Sequence, residues 1–504
     1  MQILVTGGSG VVGVGTVTEL LRRGHTVRLL ARHADDDARQ WPAGVSPLKG
    51  DIADAASIAG AADGCDAVLH VAGIVEESPP ETTFQRVNVE GTANVCAEAE
   101  RAGVSRLVFV SSLGAPEGAS DYHASKREAE RIVERFGGNW TICRPGNVYG
   151  PGDGQISVML RLVRGVSPVV PKIGSGDQSF QPIWWEDLAR ALATVVERDD
   201  LGGQALDLAG SEITCQNDLH ERMGRITGRE VVSVPVPEMF ATIGAKAISM
   251  VGWKIPFNDS ELQMLREGNV VGEGRPNALV DVLGIEPTLL DTGLRQLAEA
   301  QPEQLPAEGI GALKRKRYWA DITGAAHSPE TLFTLFRTHF DAVTPVFVDA
   351  KAEPRSNDVL EEGESITLAL PMRGHVQVRC ASVEERRVTL LTLEGHPLAG
   401  AVRFLCEPRG SAVRFQVEVY DRAANVIDFL AMRTVGDRLQ DHTWSHVVEK
   451  VVGISGGTAP AGVEHDSESL DEAEAKAIEK WIEEIALARK RAENEVKIHE
   501  PVNQ

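Results

Sequence analysis

Ser112, Tyr122 and Lys126 have the types and spacing to move a proton to or from a substrate oxygen. Tyr122 and Lys126 stand four residues apart where a helical run, 127 to 136, begins, so both side chains share one helix face. An ammonium beside a phenol stabilises the phenolate and makes the tyrosine a usable acid or base near neutral pH. Ser112 ends the stretch Arg106-Leu-Val-Phe-Val-Ser-Ser112, which reads as a strand delivering its hydroxyls at the carboxyl end, where open α/β sheets bind ligands. That hydroxyl can hold the substrate oxygen during the exchange. A Tyr and a Lys often share a helix face by chance, so the trio needs supporting elements.

The first thirteen residues supply them. Ile3, Leu4 and Val5 read as a short buried strand, and Gly7, Gly10 and Gly13 then punctuate a turn leading into a helix over 14–23. Glycine suits such a turn by allowing unusual backbone angles, close approach of a pyrophosphate and tight packing of helix on strand. Gly8, Ser9, Val11 and Val12 complete the turn, whose helix points unpaired N–H groups and a positive dipole end at phosphates. A second strand, Thr26 to Ala31, follows, and this strand–turn–helix–strand order favours a dinucleotide site over a merely tight turn. Ala31 offers no acid for ribose hydroxyls, while Arg32 can neutralise a 2′-phosphate, which favours NADP over NAD. Arg28 lies in the same strand, but its alternation equally suits solvent. A third strand is expected over 48–52, where Asp51 can accept from an adenine amino group. A fourth, 67–73, passes through Val71 and Ala72 and breaks at Gly73, close to where a nicotinamide ribose would lie. Alternating strands and helices predict a parallel sheet covered on both faces, a Rossmann-type doubly wound α/β fold.

Taken together, Thr6-Gly-Gly-Ser-Gly-Val-Val-Gly13, Gly50-Asp51, His70-Val-Ala-Gly73, Val87-Asn-Val-Glu-Gly-Thr92, Ser111-Ser112, Tyr122-x-x-x-Lys126 and Arg144-Pro-Gly-Asn-Val-Tyr-Gly150 resemble the short-chain dehydrogenase/reductase superfamily. Gln181-Pro-Ile-Trp-Trp-Glu-Asp187 is similar to the segment by which extended members return to the sheet. The likeness covers about the first 300 residues. It implies an NAD(P)-dependent oxidoreductase, epimerase/dehydratase-like, in which Tyr122 is the acid/base, Lys126 orients the ribose, Ser112 polarises the carbonyl and Asn88 supports a proton relay. Ile52, Ser111, Pro145 and Val148 join the cofactor site by the same likeness. Ser112 and Tyr122 stand closer than in typical sugar-nucleotide epimerases, and Ser-Ser-Leu-Gly-Ala115 resembles the atypical branch that includes the nucleotide-binding accessory subunit of respiratory complex I, some members of which bind cofactor without known turnover.

At 504 residues with a hydrophobic fraction of 42%, the chain has room for two or three packed cores. A net charge of −22 argues against nucleic acid as a partner. Six scattered cysteines without a C-x-x-C pair favour reduced thiols in the cytoplasm. A strand beginning at residue 3 leaves no place for a signal peptide. The apolar run 239–253 is too short to span a bilayer, and it reads as core packing slightly ahead of peripheral membrane contact. An apolar substrate and a homo-oligomer are both compatible with this composition.

Residues 1–300 are expected to hold the nucleotide domain, with a substrate part over about 150–300, and 301–312 has linker composition. Lys314 to Arg317 reads as a solvated basic edge. Period-2 strands follow at 365–370, 375–382, 387–392, 401–407 and 412–420, then a helix over 438–452. With Leu391-Thr-Leu-Glu-Gly-His-Pro-Leu-Ala-Gly400, the stretch 313–457 resembles an uncharacterised START-like, helix-grip α+β family and predicts an apolar cavity between sheet and helix, a packed core being the alternative. His442 and His446 have the spacing of metal ligands but are expected to face solvent, and no metal is expected. Residues 458–504 read as a second linker and an amphipathic helix capped by Ser469 and Glu472. Three functions fit these elements: an oxidoreductase acting on an apolar carbonyl or hydroxyl, a cofactor-holding scaffold, or a lipid-binding protein regulated by nucleotide.

Overall fold

The computed structural model of the chain describes residues 1–236, 268–345, 352–354, 359–370, 373–431 and 437–501. The run 239–253 lies outside them. Up to residue 236 the strands are β1 (Gln2–Thr6), β2 (Thr26–Ala31), β3 (Val45–Lys49), β4 (Ala67–His70), β5 (Arg106–Val110), β6 (Asn139–Pro145), β7 (Val148–Tyr149), β8 (Val169–Ile173), β9 (Ile183–Trp184), β10 (Gln204–Leu208) and β11 (Val232–Val236). Seven of them form a parallel sheet in the order β10-β6-β5-β4-β1-β2-β3. The chain leaves β1 in one direction and returns on its other side at β4, which opens a crevice at the carboxyl ends of that pair.

Continuous apolar runs make these strands. Ile3, Leu4 and Val5 are all buried, as strands covered on both faces require. One face packs on α1 (Val11–Arg22) through Val17 and Leu20, the other on α2 (Gly91–Arg101) and α3 (Asp121–Val133) through Val95, Ala99, Ala129 and Val133. β3 ends three residues earlier than expected. It is the edge strand, where Pro47 is tolerated, and Asp51 and Ile52 fall in the turn beyond it. Helices α4 (Ile156–Arg164), α5 (Trp185–Glu197), α6 (Gln216–Thr227) and α7 (Leu290–Glu299) build the region after β6.

A second sheet is antiparallel and contains β12 (Ile310–Thr323), β13 (Ser365–Leu370), β14 (Gly374–Glu384), β15 (Arg387–Thr392), β16 (Leu398–Arg409), β17 (Ala412–Ala423) and β18 (Glu464–Ser469), in the order β13-β14-β15-β16-β17-β12-β18. The basic run is part of β12 and not a solvated edge. Lys316 is 2% exposed and faces Asp421 at 3.7 Å, while Arg315 and Arg317 pair with Glu468 and Asp466 of β18. Over one face lie α8 (Pro329–Thr338) and α9 (Asp437–Ser455). Among the described residues the space between sheet and helices is filled by rings: Phe336 sits 4.9 Å from Phe404 and 5.0 Å from Phe415, with Tyr318, Phe333 and Phe340 beside them. Of the two alternatives, a packed core is what the described residues form there.

Helix α10 (Glu472–His499) covers the other face, seating Trp481, Ile482 and Ile485 on Leu391, Ala401 and Tyr420. Its capping box uses Asp471 and Glu474, because Ser469 is still in β18. Of the expected linker 301–312, residues 310–312 open β12 and 301–309 are packed between the halves through Gln301, Glu303 and Pro306. Glu303 is buried and receives Arg379 at 2.7 Å, Arg489 and Lys490. Burial works against its charge, but the three cations outweigh it and hold the carboxyl down at about 2. Arg164 of α4 reaches Glu353 and Gln377, both at 2.8 Å, and α10 continues onto the nucleotide half through Asn494 to the Gln40 carbonyl at 2.9 Å and Lys497 to Glu186 at 2.7 Å.

Ile482 is fully buried in that seam, so Ile482→Ala should cost about 2–5 kcal/mol in chemical denaturation of the whole chain. Lys480→Ala, on the exposed side of the same helix, should stay within about 0.5 kcal/mol.

Candidate active site

The glycine turn joins β1 to α1. Gly7 has φ +71°, and a Cβ there would stand 2.6 Å from the Ala72 backbone; one on Gly13 would stand 2.1 Å from the Gly7 carbonyl oxygen. Gly10 differs, because its Cβ would meet nothing nearer than that oxygen at 3.8 Å. Open space therefore lies over the first turn of α1, where Gly10 is the N-cap and provides no side-chain bond to the leading N–H groups. A pyrophosphate fits this arrangement. Ser9 and Gly10 are exposed, Val11 and Val12 half-buried, and Gly8 packs on Leu29.

Around the turn the predicted cofactor residues separate. Arg32 follows β2 in the turn and is exposed, whereas Arg28 turns away to the carbonyls of Ala61 and Asp63 at 2.9 and 2.7 Å. Asp37, which the sequence reading missed inside an unpatterned Asp-Asp-Asp run, hydrogen-bonds Ser9, and burial raises its pKa. Asp51 caps its own turn through the Ala53 N–H at 2.9 Å, and Ile52 packs into the core beneath Gly91 and not toward the crevice.

Beside β1, the ends of β4 and the 85–90 π-turn are tied by buried side chains. Thr6 Oγ1 lies 2.7 Å from His70 Nδ1, His70 Nε2 lies 3.0 Å from Thr92 Oγ1, and Thr92 donates to the Asn88 carbonyl at 2.6 Å. Val71 and Ala72 donate to Thr6, and Gly73 is exposed. A Cβ on Gly73 would stand 2.9 Å from Lys126 Nζ, so glycine here lets the ammonium approach this loop without being displaced. Asn88 is committed elsewhere: its amide donates to Ile74 and Ser125 at 3.0 Å and accepts from the Ile74 N–H at 2.8 Å. It pins the loop, and the expected relay role has no free donor.

Ser120 caps α3, which places Tyr122 in the first turn and Lys126 one turn on. The Tyr122 hydroxyl is hydrogen-bonded to Ser112, which brings those two of the predicted trio together, and Lys126 follows one turn along the same helix. The expected electrostatics are corrected. Burial pushes the phenol up to about 12, and Ser112, not Lys126, opposes that rise. Lys126 is 5% exposed, donates to the Val110 carbonyl at 3.0 Å and lies 5.1 Å from the Phe109 ring; burial brings it down to about 8, opposed by Glu130. Ser111 does not face the crevice, because its hydroxyl goes to Glu130 at 2.6 Å. The Pro145 carbonyl accepts the Leu113 N–H at 2.9 Å and steadies the Ser112 turn, and Val148 is half-buried nearby in the chain. His442 is exposed, and among the described residues no group of three His, Cys, Asp or Glu could hold a metal. All six cysteines are free thiols, and no described helix is long and apolar enough to cross a membrane.

The chain is 33% identical over 201 residues to a ceramide reductase of Caulobacter vibrioides, covering 40% of this chain and 62% of that one. It is 37% identical over 180 residues to a 3 beta-hydroxysteroid dehydrogenase/Delta 5-->4-isomerase of Mycobacterium tuberculosis, covering 30% and 48%. The aligned stretch spans between 24% and 62% of the length of the curated relatives it matches. A Thermus thermophilus UDP-glucose 4-epimerase in complex with NAD aligns over 59% of this chain and 97% of that chain, with 23% identity and a TM-score of 0.45. Residues 3–209 match the NAD dependent epimerase/dehydratase family.

Proposed function

We propose that the chain is an NAD(P)-dependent oxidoreductase acting on a carbonyl or hydroxyl carbon of an apolar, lipid-like substrate. The observation that carries this reading is the hydrogen bond between Tyr122 and Ser112, with Lys126 one turn along the same helix and the glycine turn open at the end of β1. A bound nicotinamide supplies or accepts the hydride. Ser112 holds the substrate oxygen, Tyr122 gives it or takes from it a proton, and the Lys126 ammonium steadies the phenolate once the phenol is drawn upon. With a resting phenol near 12, Tyr122 is protonated at neutral pH and suits the acid role, the direction of carbonyl reduction. Relatives named for a ceramide, a sterol and a 3β-hydroxysteroid support an apolar substrate.

The cradle reading of the C-terminal sheet has less support, since rings fill its interior among the described residues. A non-catalytic scaffold, as in the complex I-like branch, is favoured by one observation: Asn88 has no donor left for a relay. We favour NADP through the exposed Arg32, with Asp37 beside Ser9 as the group that would instead favour unphosphorylated ribose.

Tyr122→Phe removes only the hydroxyl and should lower turnover of a lipid ketone or alcohol by about a thousandfold while cofactor affinity stays within a factor of about two. Full activity in that variant would remove Tyr122 from the proton step, and a parent that turns over no lipid ketone or alcohol would move the assignment to the scaffold. Calorimetric titration should find NADPH tighter than NADH, and Arg32→Ala should narrow the gap. If the two bind equally in the parent and Asp37→Ala weakens NADH alone, the preference is for NAD.

A further inference from the structure

We propose that Glu130 is a positioning residue for the proton-transfer pair: a buried carboxylate one helical turn beyond Lys126 that keeps the ammonium protonated and fastens α3 to the Ser111–Ser112 end of β5. The inference rests on the reading of Tyr122 and Lys126 as that pair.

Tyr122, Lys126 and Glu130 repeat every four residues along α3 and so line one face of it. Glu130 is 4% exposed. Its Oε1 accepts from the Ser111 hydroxyl at 2.6 Å and from Arg144 Nε at 2.8 Å, and its Oε2 accepts from Arg144 Nη2 at 2.6 Å. The carboxylate thereby joins α3, the end of β5 and the end of β6, the three segments that place the trio. Ser111 precedes Ser112 directly, so the bond that holds Ser111 also sets where the next hydroxyl stands.

Lys126 needs such a neighbour. An ammonium taken from water is costly unless a counter-charge and hydrogen bonds compensate it, and Lys126 has a single hydrogen bond, to a carbonyl. Around it stand His70 from β4, neutral because burial and Lys126 lower its pKa to about 3, the Phe109 ring from β5, the Asn88 amide across Gly73, and Tyr122 on its own helix. None of these is negative at rest. Arg144, with Asp207 3.8 Å behind it, partners Glu130 from β6 and would face Lys126 uncompensated if the carboxylate were removed. Burial lowers the Lys126 pKa and Glu130 raises it, the sign that a counter-charge requires.

The alternative is that Glu130 only clips β6 to α3 through Arg144. Two measurements on the full chain separate them. In the first, NADPH affinity is followed from about pH 6 to about pH 10, across the range where a lysine perturbed toward 8 titrates. The parent should weaken on the alkaline side, Lys126→Met should abolish that dependence, Glu130→Gln should move its midpoint down by about one unit, and Glu130→Asp should restore part of the shift. In the second, without cofactor, denaturation midpoints at neutral pH should show a smaller loss from Glu130→Gln in the Lys126→Met background than alone. A folded Glu130→Gln protein with the parent's alkaline midpoint and additive losses would overturn the proposal. A parent that binds no NADPH, or whose binding ignores Lys126→Met, overturns the oxidoreductase reading instead, and the double-mutant comparison then decides Glu130 by itself.

Discussion

A buried histidine held in its neutral form organises the nucleotide half. Thr92 gives its proton to the Asn88 carbonyl, so toward His70 it can only accept, and His70 Nε2 must carry the hydrogen. Nδ1 is then bare and accepts from Thr6, whose own oxygen takes the Ala72 N–H. One tautomer satisfies every group, and protonation would leave Thr6 facing a second donor. Complete satisfaction is what allows so polar a chain in a dry interior, where an orphaned member would cost about 1–3 kcal/mol. These hydrogen bonds fix the ends of β1 and β4 at the crevice, and the backbone after β4 lies close enough that Gly7 admits no side chain.

The two halves are joined by charge with similarly few groups. Glu303 gathers Arg379 from β14 and Arg489 and Lys490 from α10, so one carboxylate fixes the inter-sheet segment, the antiparallel sheet and the last helix against one another. Lys497 then lies 5.1 Å from the ring of Trp185, and that ring fills the space left by Gly15 of α1 and by Gly150. Gly15 of the first helix is thus explained by a tryptophan far along the chain, itself covered by a lysine farther still.

Much of this was legible in the residues, for physical reasons that differ by element. β1 and β5 are continuous apolar runs, and α6 and α4 fall where amphipathic periodicity puts them, because burial alone determines those patterns. The Ser112–Tyr122–Lys126 grouping was readable from spacing, but the phenol's environment was not, since burial depends on contacts far away in sequence. β18 and the basic run of β12 were hidden for a related reason. Their charges are matched to each other across the ladder, Arg315 to Glu468 and Arg317 to Asp466, and such a run shows no apolar alternation, which in β12 begins only at Tyr318, Ala320 and Ile322. The bonds of Ser111 to Glu130 and of Asn88 to Ser125 were not legible, because local sequence shows a hydroxyl or an amide without showing whether it is already bonded.

The seat of α10 on α1 also bears on how the chain is made. The helix that opens the nucleotide site emerges roughly 450 residues before the helix that lies against it. At about 5–20 residues per second, that interval is on the order of half a minute. Until Asn494 has been made, Thr18, which already holds the Trp41 indole, lacks that contact. The docking of α10 on α1 is therefore an intramolecular closure between segments roughly 450 residues apart, which no local folding event can complete.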